Sequence, residues 1–209
     1  MRLFVLGASG GVGSQLLKQA VPRGHSVTAQ TRRAGSIAES DIVRVAVGEP
    51  TDLSFLRQHV AGHDAVVICT GIDRIGKTTI FSDTANAVVA AMQAGSVKRL
   101  VAISGVGAGE TRGHGGWLYN YIIYPLFTRN RYADKDRQEA IIERSHLDWT
   151  IVRPAPFAAH TGAGPMQIFT EIPGMLQLRT ITRAEVAAFI LDVLEHGRFI
   201  HQKPFIGHA

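Results

Sequence analysis

Short apolar runs alternate with stretches of helical periodicity along most of the chain. Leu3–Leu6 is strand-like, and Gln15–Ala20 follows with helical character. Ser26–Gln30 and Ile42–Val47 read as the second and third strands, and Leu53, Phe55 and Leu56 mark the next helix. Ala65–Thr70 is unbroken and apolar, as in a strand buried on both faces. A small, apolar helix over Thr84–Ala94 precedes a fifth strand, Leu100–Ile103, which ends at Ser104-Gly105. Residues 106–131 break the rhythm with five glycines and an aromatic segment, Trp117–Phe127. Regularity returns with a helix over Asp134–Ser145 and a strand over Trp149–Val152. A Pro- and Gly-bearing loop covers roughly 154–180. Thr182-Arg183-Ala184-Glu185 is a capping box opening a last helix, and a short strand near Phe205-Ile206 follows.

This order predicts an α/β fold: a doubly wound parallel sheet in three layers, in a single domain over 1–209. A chain of 209 residues buries an adequate core without metal or disulfide staples. The single cysteine, Cys69, excludes an internal disulfide framework and reads as a small buried hydrophobe. The net charge of +5 raises a polyanion partner, but the 22 Lys and Arg are scattered in runs no longer than two, so no nucleic acid is expected. No leader or membrane span is read, and the expected setting is cytoplasmic with no membrane partner.

Right-handed crossovers place the carboxyl ends of all strands on one rim. The residues falling there carry the candidate chemistry. Gly7-Ala8-Ser9-Gly10-Gly11-Val12-Gly13 joins the first strand to the first helix, with glycines 7, 10 and 13 three apart. That spacing suits a tight turn, a close approach of backbone to a pyrophosphate, and close helix packing. The helix N-terminus behind it favours anions. Arg32-Arg33 ends the second strand where an acidic residue would select a ribose 2′-hydroxyl; two guanidiniums fit a 2′-phosphate instead, or are simply solvated. Asp52 and Leu53 flank an adenine site, or Asp52 is only a helix cap. Thr70-Gly71, Ser104-Gly105 and Arg153-Pro154 complete the rim.

Two rival motifs compete with this reading. Gly71–Thr78 matches the phosphate-binding P-loop pattern, with Lys77 as its lysine, but no later strand ends in an acidic residue to hold Mg²⁺. Gly7–Gly11 also matches a nucleophile elbow, which needs preceding strands that six residues do not provide.

The chain resembles the extended, atypical short-chain dehydrogenase/reductase superfamily, in its NmrA-like and flavin/biliverdin-reductase-like branch. The likeness rests on Gly7–Gly13, on Val88–Ser104, on Glu139–Pro154 with its Leu-Asp-Trp-Thr-Ile-Val-Arg-Pro run, and on Ile181–Ala187. The resemblance implies a Rossmann fold, NADP(H) as cofactor, and a small substrate over the nicotinamide, which segments 70–72 and 153–157 would line. Enzymes with the full signature carry Tyr-x-x-x-Lys, in which the lysine lowers the pKa of the tyrosine acid. Here no tyrosine has lysine four residues on: Tyr119, Tyr121, Tyr124 and Tyr132 meet Ile123, Pro125, Thr128 and Asp136. Lys135 looks like the surviving lysine, with Arg131 in the tyrosine's place.

Loss of that pair speaks against carbonyl reduction by the usual relay. It is better tolerated by reduction of a flavin or quinone, whose electron-poor ring takes a hydride while water delivers the proton. The expectation is therefore an NADPH-dependent oxidoreductase acting on a small planar acceptor. The alternative is a non-catalytic NADP(H)-sensing, NmrA-like regulatory module. Ser104 is a candidate substrate hydrogen-bond donor or a strand-end cap, and Lys135 a candidate ribose contact or a solvated helix lysine. The 117–127 aromatics form a flat wall, or an amphipathic helix on the core or on a homodimer partner. His114 and His160 are loop residues able to supply a proton, and no cluster has metal-ligand spacing.

Overall fold

The computed structural model describes residues 1–71, 76–105, 129–160, 162, 164–171 and 178–208. The element order is β1 (Arg2–Leu6), α1 (Gly11–Ala20), β2 (Ser26–Thr31), β3 (Val43–Val47), α2 (Leu53–Val60), β4 (Ala65–Ile68), α3 (Ile80–Ala94), β5 (Arg99–Ile103), α4 (Arg129–Glu143), β6 (Asp148–Pro154), β7 (Gln167–Phe169), α5 (Arg183–Glu195) and β8 (Phe205–Gly207). One eight-stranded sheet runs β3-β2-β1-β4-β5-β6-β8-β7, and only the β7–β8 pairing is antiparallel.

Alternate side chains of each central strand feed opposite layers. Leu3, Val5, Val67 and Val101 meet Leu16 of α1 and Val186, Ile190 and Val193 of α5. Phe4, Val66, Ile68 and Leu100 meet Leu56 of α2, Val88 and Met92 of α3, and Ile142 of α4. The three-layer doubly wound architecture is therefore as the apolar runs predict. Strand order reverses at β1, which pairs with β2 on one side and β4 on the other. A crevice opens beyond the strands' carboxyl ends at such a reversal.

The structure departs from the sequence expectation at three places. Strand β7 lies inside the stretch read as loop; its three residues are only half-buried or exposed and carry no alternation of their own. Helix α3 starts at Ile80, four residues before the expected Thr84. Its cap comes from a distant element: the buried Asp134 carboxylate of α4 accepts from Phe81 N (2.9 Å) and from Ser82 Oγ (2.5 Å). Helix α4 starts at Arg129, inside the stretch expected to be irregular, because its first turns are polar and give no apolar periodicity. The capping box of α5 forms as predicted, with Glu185 N donating to Thr182 Oγ1 and Thr182 N to the Glu185 carboxylate.

Candidate functional site

The glycine turn sits at the sheet's reversal point. Gly7 has φ +71°, and a Cβ there would lie 3.0 Å from the backbone of Cys69 and Thr70 at the end of β4. Glycine is thus required twice over, by the left-handed backbone and by the neighbouring strand. A Cβ on Gly13 would stand 2.3 Å from Gly7 O, so the first helical turn is pressed against the loop itself. Polar contacts to β2 fix the turn: Gly7 N donates to Gln30 Oε1 (2.8 Å) and Ala8 N to Gln30 O (3.0 Å). Gly10 is the N-cap of α1, with no side-chain cap and no acidic residue in the first turn. The positive end of α1 is thereby left to a ligand.

Arg32 and Arg33 lie just past β2, exposed to solvent, and among the described residues no carboxylate pairs with either. Their turn is tied to the glycine loop by hydroxyls. Ser9 Oγ lies 3.1 Å from Thr31 Oγ1, which accepts from Arg33 N (3.2 Å) and lies 2.9 Å from Ser36 Oγ. Asp52 caps α2, accepting from Ser54 N (2.8 Å) and Phe55 N (3.2 Å), while Leu53 is half-buried against the core. Of the two roles open to Asp52, the cap is the one its hydrogen bonds serve.

On the other side of the turn, β4 and β5 end in two unsatisfied hydroxyls. Thr70 Oγ1 and Ser104 Oγ are both buried without a hydrogen-bond partner among the described residues. Such an arrangement costs about 1–3 kcal/mol per group unless a ligand answers it. Gly71 beside Thr70 faces open space. Lys135 of α4 donates from Nζ to Ser104 O and lies 5.2 Å from the Phe81 ring centroid. Burial pulls its ammonium down to about 8; Glu139 opposes that shift and the Arg131 guanidinium adds to it.

Tyr132, one turn before Lys135, was missed by the sequence reading. A Cβ on Gly105 would lie 3.7 Å from Tyr132 Oη and 3.8 Å from Lys135 Nζ, so phenol and ammonium flank the same point beside Ser104. A spacing of three on one helix face was the available signal. That spacing departs from the four of the family signature, and the polar first turns of α4 carry no apolar periodicity to show that Tyr132 shares the helix.

Arg153 is fully buried, and its guanidinium grips Glu139 of α4 through Nε (3.1 Å) and Nη2 (2.5 Å). It acts on the rim by clamping α4 to β6. Pro154, also buried, ends β6 in register with Ile206. Cys69 is enclosed, and burial pushes its thiol up to about 12, so it is inert at neutral pH. The P-loop alternative loses further ground: Lys77 is exposed, and the helix end that would face phosphate holds the Asp134 carboxylate. Residues 72–75, the 117–127 aromatic segment and His114 lie outside the described residues; His160 is exposed. No group of three metal-ligating side chains occurs among the described residues, and no described helix is long and apolar enough to cross a membrane.

Turn, uncapped helix end and paired orphan hydroxyls together form a cradle suited to a dinucleotide. The comparisons agree. An uncharacterized protein of Bacillus subtilis (strain 168), YwnB, is 27% identical over 209 residues, covering 94% of this chain and 93% of that protein. A short-chain dehydrogenase/reductase from Veillonella parvula, solved in complex with NADP, superposes with a TM-score of 0.84 at 16% identity, over 100% of this chain and 94% of that one. ChuY, an anaerobillin reductase from Escherichia coli O157:H7, gives 0.81 at 19% identity, over 99% and 97%. The NAD(P)H-binding family model matches residues 7–197, from the glycine turn to just past the end of α5, and the chain belongs to that family.

Proposed function

We propose that the protein is an NADPH-dependent reductase of a small planar acceptor, of flavin or quinone type. The observation that carries the reductase reading is the convergence of Ser104, Lys135 and Tyr132 on one point of the rim. The planar acceptor follows from the missing Tyr-x-x-x-Lys spacing, since Tyr132 stands three residues before Lys135 and not four. The cofactor, when bound, supplies a hydride to an electron-poor ring. The chain's own residues account for the rest. The α1 N-terminus takes the diphosphate, and Arg32 and Arg33 pair with the 2′-phosphate. Thr70 and Ser104 give their hydroxyls to the groups that enter the crevice. Lys135 holds positive charge where negative charge develops, and the adjacent Tyr132 phenol is within reach of the same space to donate a proton.

ChuY, a reductase by name, shares this fold, which supports the direction of the chemistry. A second reading, a module that senses NADP(H) without turnover, draws support from Lys135 already being committed to the Ser104 carbonyl. Oxidation of NADPH by purified protein, followed at the nicotinamide absorbance with FMN and a quinone series, separates the two. The reductase reading expects turnover with at least one acceptor and a fall of about 10²-fold or more in Tyr132→Phe. Tight NADPH binding without turnover across the series would select the sensing module.

A further inference from the structure

The glycine at position 11 has a neighbour that the dinucleotide motif does not explain. A Cβ on Gly11, the first residue of α1, would lie 2.5 Å from Nε and 2.6 Å from Cδ of Arg183. The arginine side chain therefore lies across the start of α1, and the second glycine of the Gly10-Gly11 pair is what leaves room for it. An aromatic contact holds it there. Its Cζ sits 4.9 Å from the Phe157 ring centroid. The 156–158 segment is bound to its neighbour Ile181 by Ala158 N→Ile181 O (3.0 Å) and Ile181 N→Pro156 O (3.1 Å). Gln19 of α1 also donates to Ala184 O (2.9 Å), fixing α1 against the start of α5.

A cation in this place is electrostatically odd. Helix N-termini carry partial positive charge and disfavour cations, and Arg183 opens one helix while overlying the start of another. The start of α5 is compensated by Glu185, whose carboxylate is held below the usual range: burial opposes this, but bonds from Thr182 and His208 win. The start of α1 has no such acid. Among the described residues no carboxylate or carbonyl accepts from the Arg183 guanidinium. Three positive features thus meet at one point with a single anionic compensation, an arrangement that an incoming anion would relieve.

We infer that Arg183 is a diphosphate-binding residue, an arginine delivered by the last helix to the oxygens seated on the glycine turn. The inference rests on the NAD(P)H reading of that turn and adds a charged, bidentate donor to a site otherwise built from backbone. It also divides the labour between arginines. Arg183 serves any nicotinamide dinucleotide, whereas Arg32 and Arg33 would serve only the phosphorylated one.

Titration of NADPH, NADH and ADP-ribose into wild type, Arg183→Gln and Arg183→Lys tests this. Arg198→Gln, at the far end of the same region, serves as a control. Loss of a charge-assisted hydrogen bond predicts that Arg183→Gln weakens all three ligands by the same factor, about ten-fold or more, leaving the NADPH to NADH ratio unchanged. Arg183→Lys should lie between, and thermal midpoints should agree because the side chain is exposed. Unchanged affinities in a folded Arg183→Gln overturn the assignment, as does a loss confined to NADPH. If wild type binds none of the three, the cofactor reading itself fails.

Discussion

Lys135 is the residue whose surroundings most change its chemistry. In the unfolded chain its ammonium titrates near 10.5; folded, it titrates near 8, burial being the main cause. Between those values the folded state holds fewer protons than the unfolded one, so this group's contribution to stability rises with pH across that window. Its usefulness as a cation moves the other way. Any step needing positive charge beside Ser104 should weaken as pH climbs through about 8, while the fold does not. Turnover or NADPH affinity measured from pH 6.5 to 9.5 should show that descending limb in wild type and lack it in Lys135→Met; the same limb in both would assign it elsewhere. Lys135 was legible in the sequence as a surviving lysine. Tyr132 was not, because its pairing depends on where α4 begins, and that boundary is set by tertiary packing and not by local pattern.

At the level of elements, α4 positions the site, and two buried carboxylates fasten it. Asp134 caps α3 across the helix pair, and Glu139 grips Arg153 of β6 in a pair that is almost entirely enclosed. Breaking such a buried pair by removing one partner costs about 3–5 kcal/mol. Glu139→Ala should therefore lose about that much stability in chemical denaturation and shift Lys135 and Tyr132 with the helix; a loss under about 1 kcal/mol would show that α4 is held by its apolar face alone. Arg153 illustrates what a sequence hides. At the end of a strand on the ligand rim it reads as a cofactor contact, and the fold adds a second task, a buried fork onto Glu139 that clamps α4 to β6. Only the register of α4 against β6 brings those two residues together, and no local signal encodes it. Asp52 and the Thr182–Glu185 box were legible because caps are written within four residues.

For the whole molecule, the alternation of buried apolar runs with helical stretches was sufficient to predict the doubly wound sheet and its working rim. The glycine turn, the arginine pair, Thr70 and Ser104 all fall along it because crossover handedness leaves no other arrangement. The antiparallel β7 escaped, since a three-residue edge strand is specified by its partner β8 and not by its own sequence. A cavity of about 350 Å³ at the opposite edge, lined in part by Arg2, Thr28, Arg44 and His63, is remote from this rim. The proposed reductase needs the turn to hold a dinucleotide diphosphate and the arginine pair to hold the phosphate that distinguishes NADPH from NADH. Calorimetric titration of both dinucleotides into wild type and into the Arg32→Glu/Arg33→Glu double variant tests this most directly. NADPH should bind at least about ten-fold more tightly than NADH, with the preference abolished in the variant and NADH binding retained. No heat with either dinucleotide, or a preference that survives charge reversal, would contradict it.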